Sequence, residues 1–290
     1  MFHGSMVALI TPFQNGQVDE AAIADLVEWH IAEGTKGIIP CGSTGESLLL
    51  SWEEQQRVIE MCINTAAGRV KIIPGAAAIE PGETIRRAQF AKDKGADGVL
   101  IVTPPYVKPT QEGLYDYYKR VNDAVDIPIL VYNNPGRASI EIAVETVGRL
   151  SKLKNIAGIK DSSTDMPRVQ QIRAVTDPDF AVISGEDPTC AAYLAQGGQG
   201  CISVLANVAP RLCSDLNEAW LRGDMKAFNA ARDALFPLNQ AMFLETNPMP
   251  IKYAVSLLGK CQNELRTPLS TVNDNTQQRV QQAMKTAGVL

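Results

Sequence analysis

The amino-acid sequence predicts an α/β fold, a (β/α)8 TIM barrel with a C-terminal helical extension. Short apolar runs rich in valine and isoleucine alternate with longer amphipathic segments, which is typical of strands that alternate with helices. The apolar runs are hydrophobic throughout, as expected for parallel strands that are buried on both faces. They recur about every 25–30 residues, the length of a βα unit with short loops, and eight such units describe a closed barrel.

The individual elements follow from the same pattern, and capping residues support several boundaries. Ser51 precedes Glu54 by three residues, a capping-box pattern, and Asp19 precedes an alanine-rich amphipathic run. Gly95 and Gly197 stand where helices are expected to end. The predicted strands are 6–10, 37–41, 70–74, 98–102, 128–132, 156–160, 181–184 and 201–205. The predicted helices between them are 19–34, 51–67, 82–94, 111–125, 143–151, 166–175 and 189–196.

The expected domain organisation is a barrel over 1–209 and a helical region over 210–290 that packs on the barrel. A doubly wound open sheet is the structural alternative, and it normally carries a phosphate-binding G-x-G-x-x-G after its first strand. The corresponding turn reads TPFQNGQ, so the barrel is favoured. The predicted helices of the C-terminal region are 211–221, 225–245, 250–258 and a last one from residue 275.

Composition restricts the class of protein. The 290 residues are 45% hydrophobic and 20% charged, and the net charge of −5 disfavours nucleic acid or an anionic membrane as a partner. Six dispersed cysteines without a C-x-x-C pair are interpreted as buried thiols in a reducing compartment. The segment MFHGSMVALITPF has no basic n-region, and no stretch approaches the ~20 apolar residues of a membrane span. We expect a soluble cytoplasmic protein.

Polar motifs follow or end four of the predicted strands. They are CGSTGES, YNNPGR, GIKD and SGED, at the second, fifth, sixth and seventh strands. Catalytic groups of (β/α)8 barrels come from the carboxyl ends of the strands and the loops that follow. The sequence therefore predicts a functional site at this rim.

Lys160 is the most informative residue of these motifs. A lysine within an apolar strand is costly unless its ammonium is paired or its amine is neutral, and a neutral amine is the nucleophile that attacks a ketone. The alternatives are a side chain that extends to the rim, or a pair with Asp161.

Four further residues have both a functional and a structural interpretation. Tyr132 has a hydroxyl that can pass protons, although a core tyrosine with one hydrogen-bond partner is common. Ser43 and Thr44 lie in a glycine-flanked loop that can hold a carboxylate, or that only forms a tight turn. Arg137 follows a Pro-Gly turn and can bind a second carboxylate, or be a solvated surface arginine.

Several other classes of enzyme are disfavoured because the sequence lacks the residues or motifs that their chemistry needs. His3 and His30 are the only histidines, so Ser-His-Asp catalysis and histidine-rich metal sites are disfavoured. Glu46 and Asp187 are candidate paired carboxylates for glycoside hydrolysis, but only on general grounds. No Walker or dinucleotide-binding motif is present in the sequence.

Taken together, the motifs resemble the pyruvate-dependent class I aldolase superfamily and, within it, the dihydrodipicolinate synthase family. The resemblance runs nearly end to end, and the separation of Tyr132 and Lys160 is also typical of the superfamily. Arg137 and the last two segments below favour the synthases over their relatives. The segments are GSMVALITPF, CGSTGES, VTPPYVKPTQEGLY, YNNPGR, GIKD, SGED, GCISVLANVAP and ETNPMPIKYA.

The resemblance implies a condensation of pyruvate with L-aspartate-4-semialdehyde in lysine and diaminopimelate biosynthesis. It implies that Lys160 forms the imine and that Tyr132 shuttles protons, linked through Thr44 to Tyr106 of a neighbouring subunit. It further implies that Ser43 and Thr44 hold the pyruvate carboxylate and that Arg137 binds the semialdehyde carboxylate. Gly185 and Ile202 would line the pocket. Neither a metal nor an organic cofactor is implied, and the usual assembly is a homotetramer built as a dimer of dimers.

The sequence departs from the family pattern at several positions. Ser43 replaces a more usual threonine, and Ala138 stands where a hydroxyl residue is common. At the positions that match the lysine-inhibition site of many bacterial members, three residues offer few hydrogen-bond donors, so we expect weak or absent inhibition by lysine. These three are Trp52, Ile79 and Pro105, and the other matching positions are Ser47, Leu48, Gln55 and Glu83.

Two other functions are compatible with parts of the pattern. N-acetylneuraminate lyase, or another 2-keto acid aldolase, would use the same Lys160 chemistry, and Ser43 also resembles that lyase. Arg137 argues against it, because sugar-cleaving relatives need hydroxyl-binding groups rather than a carboxylate clamp. A barrel that binds a keto acid as a sensor is disfavoured, since a binder needs no nucleophilic lysine.

Overall fold

The computed structural model describes residues 2–290 and contains ten β-strands within that range. Eight of them correspond to the eight predicted strands. The strands are β1 (Gly4–Ala8), β2 (Phe13–Gln14), β3 (Gln17–Val18), β4 (Gly37–Ile39), β5 (Lys71–Ile72), β6 (Val99–Val102), β7 (Ile129–Asn133), β8 (Ile156–Asp161), β9 (Ala181–Ser184) and β10 (Gly200–Ser203).

Twelve α-helices are present in the same residues, and eleven of them were predicted. The unpredicted one is α5, which contains only four residues. The helices are α1 (Glu20–Ala32), α2 (Trp52–Ala66), α3 (Pro81–Lys94), α4 (Gln111–Ala124), α5 (Pro135–Ala138), α6 (Val144–Leu150), α7 (Pro167–Val175), α8 (Cys190–Ala195), α9 (Pro210–Arg222), α10 (Met225–Ala241), α11 (Met249–Leu257) and α12 (Asp274–Thr286).

The predicted capping residues explain where several helices begin and end. Ser51 Oγ accepts a hydrogen bond from the Glu54 amide, and the Glu54 carboxylate accepts one from the Ser51 amide, which completes the capping box. Asp19 caps α1 by accepting from the Ala22 amide. Gly95 ends α3 in the left-handed conformation, at φ +92°.

A short hairpin of β2 and β3 was not predicted. Its two strands pair antiparallel, and they are joined by Asn15 and Gly16, which both have positive φ values of 53° and 79°. Two-residue strands are too short to show an alternating pattern. The Asn-Gly dipeptide is nevertheless a strong hairpin signal, because both residues tolerate positive φ.

Contacts divide the described residues into two compact units. The first comprises the described residues up to His3 together with Ile72–Ile202. Its strands β6, β7, β8 and β9 are neighbours in chain order, and each adjacent pair is parallel. Its core consists of buried aliphatic and aromatic residues from these strands and from helices that include α3, α4 and α7. The register between β7 and β8 fixes which residues meet at the carboxyl ends of these strands.

The second unit comprises Gly4–Lys71 and Ser203–Leu290. Its strands β1 and β4 pair in parallel, with Met6 opposite Gly37 and Ala8 opposite Ile39. Helix α9 packs against β1, and α10 packs against both α9 and α12. The eighth predicted strand ends earlier than expected, because Leu205–Asn207 form a short 3₁₀ helix.

All six cysteine side chains are thiols, as predicted, and five of them are buried, whereas Cys261 is half-buried. Burial raises the pKa of the Cys62 thiol to about 12, which keeps it protonated and unreactive. Among residues 2–290, no helix combines the length and the apolar character that crossing a membrane requires.

Candidate active site

Lys160 and Tyr132 are direct neighbours across β7 and β8. The parallel register pairs Tyr132 with Lys160, and the lysine Nζ lies 4.1 Å from the centroid of the tyrosine ring. Only 5% of Lys160 and 7% of Tyr132 is exposed. The lysine therefore does not extend into solvent, and its amine lies over the face of an aromatic ring.

Asp161, the next residue along β8, is engaged with other residues rather than with Lys160. Its Oδ2 accepts from Arg168 Nε at 2.9 Å, and its Oδ1 accepts from Asn133 Nδ2 at 2.8 Å. The Ser163 amide also donates to Oδ1, at 3.0 Å. Asp161 is 1% exposed and Arg168 is 3% exposed, so this ion pair is fully buried. The hydrogen bond between Asn133 and Asp161 joins the ends of β7 and β8, one residue beyond Tyr132 and Lys160.

The phenol of Tyr132 has two polar neighbours within the first unit. Asn134 Nδ2 donates to Tyr132 Oη at 2.7 Å, and Ser162 Oγ lies 3.4 Å from the same oxygen. The hydroxyl is thus part of a polar network, and the ring of the same residue faces the lysine amine. A group that passes protons needs such hydrogen-bond partners.

Arg137 lies in α5, where a simple turn had been expected. Asn134 is the N-cap of this short helix, and its Oδ1 accepts from the Arg137 amide at 3.2 Å. Pro135 occupies the first helical position, where its fixed φ favours the helix. The Arg137 side chain is exposed. Exposure is compatible with both interpretations of this residue, a carboxylate-binding arginine and a surface arginine.

Gly185 allows Ser162 and Lys160 to pack so closely against its backbone that a side chain would not fit there. A Cβ at this position would lie 2.1 Å from Ser162 Oγ and 2.9 Å from Lys160 Cε. Ile202, the other residue expected to line the pocket, lies on β10 and is fully buried. Glu186 follows the glycine, and burial together with the Asp187 charge raises the pKa of its carboxyl, although Lys160 opposes this shift.

Tyr106 differs from the residues around Lys160. Its side chain is 90% exposed, and its backbone has a φ of +73°, which is uncommon for a bulky residue. The adjacent Val107 is 53% exposed.

Ser43 and Thr44 belong to the second unit. Thr44 is buried, and its Oγ1 accepts from Asn247 Nδ2 at 2.9 Å, whereas Ser43 is half-buried. The following Gly45 is required for close packing, because a Cβ there would lie 2.9 Å from the Leu9 carbonyl oxygen. The loop is therefore packed closely against the segment after β1.

Glu46 and Lys252 form a buried ion pair that the sequence interpretation missed. Lys252 Nζ binds Glu46 Oε1, both side chains are fully buried, and Glu46 has a left-handed backbone with φ +54°. The amide of Arg266 donates to the other carboxylate oxygen at 3.1 Å. Burial lowers the pKa of Lys252, and the Glu46 charge opposes this.

The sequence interpretation treats Glu46 as a candidate carboxylate for glycoside hydrolysis, whereas the structure engages it in this ion pair. The signal that could have found the pair was a lysine within the apolar run of PMPIKYAV, the same argument that singled out Lys160.

The first unit thus brings Lys160, Tyr132 and Gly185 into contact, and it connects Tyr132 to the Arg137 turn through Asn134. The sequence interpretation did not identify Asn134, Ser162 or the Asp161 ion pair. Asp161 directly follows Lys160, and Asn134 and Ser162 stand two residues after Tyr132 and Lys160.

Comparison with known proteins gives a consistent result over the whole chain. The family model described as the dihydrodipicolinate synthetase family matches residues 1–287. A 4-hydroxy-tetrahydrodipicolinate synthase from Rhodospirillum centenum is 52% identical over 290 residues, which cover 100% of both chains. One from Bradyrhizobium diazoefficiens is 51% identical and covers 100% of this chain and 98% of its own.

Solved structures show the same similarity. Dihydrodipicolinate synthase from Aquifex aeolicus is 41% identical, with a TM-score of 0.97 and 99% of both chains covered. The pyruvate complex of the Acinetobacter baumannii enzyme is 38% identical, with a TM-score of 0.97 and complete coverage of both. A lysine-bound structure from Cyanidioschyzon merolae is 32% identical, with a TM-score of 0.96, and covers 100% of this chain and 99% of that chain. The predicted (β/α)8 barrel with C-terminal helices is therefore confirmed. This chain belongs to the dihydrodipicolinate synthetase family.

Proposed function

We propose that this protein is a lyase that condenses pyruvate with L-aspartate-4-semialdehyde through a Schiff base on Lys160. The product is 4-hydroxy-tetrahydrodipicolinate, an intermediate of lysine and diaminopimelate biosynthesis. The observation that carries the proposal is a buried lysine amine in register with a buried tyrosine, at the carboxyl ends of parallel strands. Membership of the family supports the choice of substrates.

The chemistry begins at the lysine amine. The neutral amine of Lys160 attacks the pyruvate ketone and forms a carbinolamine, and loss of water then gives the imine. The protonated imine withdraws electrons, so the pyruvate methyl loses a proton and becomes an enamine nucleophile. The enamine carbon attacks the aldehyde and forms the new C–C bond. The amino group of the product then displaces Lys160 as the ring closes, which regenerates the free lysine.

Tyr132 is the proposed proton carrier in the carbinolamine and dehydration steps. Its ring lies against the amine that reacts, and proton transfer by a positioned group contributes about 10²–10⁴-fold to such steps. The proposed relay continues through Thr44 to Tyr106 of a neighbouring subunit. The 90% exposure of Tyr106 supports this role, because an exposed aromatic side chain is available to another copy of the chain.

The remaining residues are proposed to bind the substrates. We assign the pyruvate carboxylate to Ser43 and Thr44, and the semialdehyde carboxylate to the guanidinium of Arg137, which offers paired donors. Gly185 and Ile202 line the pocket, and the close approach of Lys160 to the Gly185 backbone supports this role for Gly185. We expect that the reaction needs neither a metal nor an organic cofactor, because the imine itself accepts the electrons.

The assembly and the domain organisation are further parts of the proposal. We propose a homotetramer built as a dimer of dimers. We also propose that residues 210–290 form a helical region packed on the barrel at 1–209, and the contact of α9 with β1 supports this.

Two assays on the purified protein distinguish this function from the sugar-acid alternative. The first measures the condensation of pyruvate with the semialdehyde, and the second measures pyruvate released from N-acetylneuraminate. We expect activity in the first assay and none above background in the second. Release of pyruvate from N-acetylneuraminate without condensation would reverse the assignment while leaving the lysine chemistry intact.

A further inference from the structure

We propose that Asn134 is a positioning residue that sets the direction of the Tyr132 proton and connects it to the segment that carries Arg137. The inference rests on the proposed function and deepens it. Asn134 lies between the two residues in the chain, and its own side chain is 9% exposed. The nitrogen of its side-chain amide bonds to Tyr132, and the oxygen of the same amide bonds to the backbone of Arg137.

The contacts determine the orientation of the Asn134 amide. The Arg137 backbone N–H can only donate, so the atom that faces it at 3.2 Å must be the oxygen Oδ1. The nitrogen Nδ2 must then face Tyr132 Oη at 2.7 Å. A flipped amide would place two donors against each other at the backbone, so this orientation is fixed without reference to hydrogen positions.

The orientation of the amide determines how the phenol is used. Because Nδ2 can only donate, Tyr132 Oη accepts from Asn134, and the single phenol proton points away from it. When Tyr132 gives up that proton, the amide donor remains in place and becomes a charge-assisted hydrogen bond to the phenolate. Asn134 thereby favours transfer of the Tyr132 proton to a group on the side away from Asn134, and it stabilises the phenolate that results.

The same side chain also holds the segment that carries Arg137. Asn134 is the N-cap of α5, and its main-chain oxygen accepts from the Arg137 amide at 3.1 Å in addition to the side-chain bond. The proton carrier and the proposed carboxylate-binding arginine are thus attached to one buried amide. Correct placement of the semialdehyde and proton transfer at the imine therefore depend on the same residue.

Two substitutions separate the roles of the two amide ends. Asn134→Asp keeps an oxygen that caps the Arg137 amide, but it replaces the donor to Tyr132 with an acceptor that also repels a phenolate. Asn134→Leu removes both ends. Asn134→Ser is a third variant, which retains capping ability with a side chain too short to reach the phenol.

The measurements are the rate at which borohydride traps the pyruvate adduct, kcat and its pH profile, and the KM for the semialdehyde. We expect Asn134→Asp and Asn134→Ser to lower the trapping rate and kcat by about tenfold or more, with the semialdehyde KM within about twofold. The pH profile of kcat for Asn134→Asp is expected to change shape. Asn134→Leu is expected to lower kcat similarly and also to raise the semialdehyde KM.

A matched control is Asn155→Asp. Asn155 is a half-buried asparagine of the same unit whose Nδ2 donates to the carbonyl oxygens of Asn122 and Val125, before β8 begins. This variant is expected to lower the thermal midpoint and leave the trapping rate unchanged. Native trapping rates and an unaltered pH profile in Asn134→Asp and Asn134→Ser would overturn the inference while the proposed function stands. A native protein that forms no adduct would refute both.

Discussion

Lys160 Nζ lies 4.1 Å from the centroid of the Tyr132 ring, on the neighbouring strand of a parallel pair. The relationship is set by strand register, since Tyr132 on β7 is directly opposite Lys160 on β8. Groups on regular elements are held more rigidly than groups on loops, and catalytic geometry tolerates only small displacements. One residue further along, the Asn133 amide and the Arg168 guanidinium both bind the Asp161 carboxylate and reinforce the same register.

The first prediction concerns the hydroxyl of Tyr132. Tyr132→Phe retains the ring that contacts Lys160 but removes the proton carrier, so we expect kcat to fall by about 100-fold or more. The thermal midpoint should remain close to that of the native protein. Steady-state kinetics and the rate of pyruvate adduct formation measure the effect.

The control for this substitution is Tyr117→Phe in the same unit. The Tyr117 side chain is buried and its hydroxyl donates to the Ala78 carbonyl at 2.7 Å, so the same atom is lost away from the lysine. We expect near-native kcat for the control. Equal kcat for Tyr132→Phe and the native protein would exclude Tyr132 as the proton carrier.

The second prediction concerns the buried ion pair of Glu46 and Lys252. Removing one member leaves an uncompensated buried charge, so Glu46→Gln and Lys252→Met should each lower the free energy of unfolding by about 3–5 kcal/mol. The double variant should lose clearly less than the sum, because neither charge is then left alone. Urea denaturation of the four proteins gives the double-mutant cycle.

An exposed pair provides the comparison. Lys154 and Asp126 form a salt bridge with side chains that are 77% and 66% exposed, so Lys154→Met should leave the urea midpoint almost unchanged. Additive losses in the Glu46 and Lys252 cycle would contradict a direct interaction.

The third prediction is a loss of stability in acid that comes from His30. Its imidazole is fully buried, and burial together with the Lys260 charge lowers its pKa to about 3, from the usual 6.5. The folded protein therefore keeps His30 neutral where the unfolded chain takes up a proton. This contribution to stability is fully present above pH 6.5 and is lost as the pH falls toward 3, by about 1.4 kcal/mol per pH unit.

Urea unfolding of the native protein and His30→Gln between pH 7 and pH 4 tests this. The variant lacks the ionisable ring, so its free energy of unfolding should fall less steeply in acid, even though it is less stable at pH 7. Parallel slopes for the two proteins would show that His30 is protonated in the folded state or is not the group responsible.

The fourth prediction is weak or absent inhibition by lysine. Among the positions that match the family's inhibition site, Gln55 uses its amide to bind the carbonyl oxygens of Ser47 and Leu50. The Glu83 carboxylate binds Arg86 and Arg87, and these contacts contribute to its lowered pKa. The Gln55 amide and the Glu83 carboxylate are thus already engaged by the chain's own residues.

We expect half-inhibition only above about 1 mM lysine, the range of weak binding. Steady-state assays with increasing lysine measure this, and the relative from Cyanidioschyzon merolae, whose structure contains bound lysine, is assayed in parallel. Strong inhibition at micromolar concentration would show that these side chains rearrange to bind the ligand.

The sequence predicted the strands and helices well because their signals are local. Ser51 and Glu54 form the capping box that their spacing indicated, and Gly95 ends α3 as expected. The hairpin of β2 and β3 was missed because two-residue strands show no periodicity. The last predicted strand extended too far, into the 3₁₀ helix Leu205–Asn207. A short apolar run is compatible with a strand and with a helical turn, so the sequence pattern did not show where the strand ends.

Prediction of the site was limited to residues whose chemistry is unusual in their surroundings. Lys160 in an apolar strand is such a residue, and the structure places it beside Tyr132. Asn134 has an ordinary sequence context, and its importance arises from two hydrogen bonds that no local pattern specifies. Glu46 and Lys252 are more than two hundred positions apart, so an apolar context could single out Lys252 in the sequence but not identify its partner.

The most direct test of the account is mass spectrometry after borohydride reduction in the presence of pyruvate, on the native protein and on Lys160→Ala. Peptide mapping should place a pyruvate-derived adduct on Lys160 of the native protein, with the other buried lysine, Lys252, unmodified. Lys160→Ala should remain folded and carry no adduct. Absence of an adduct on folded native protein, or an adduct that persists in Lys160→Ala, would contradict Schiff-base catalysis by Lys160.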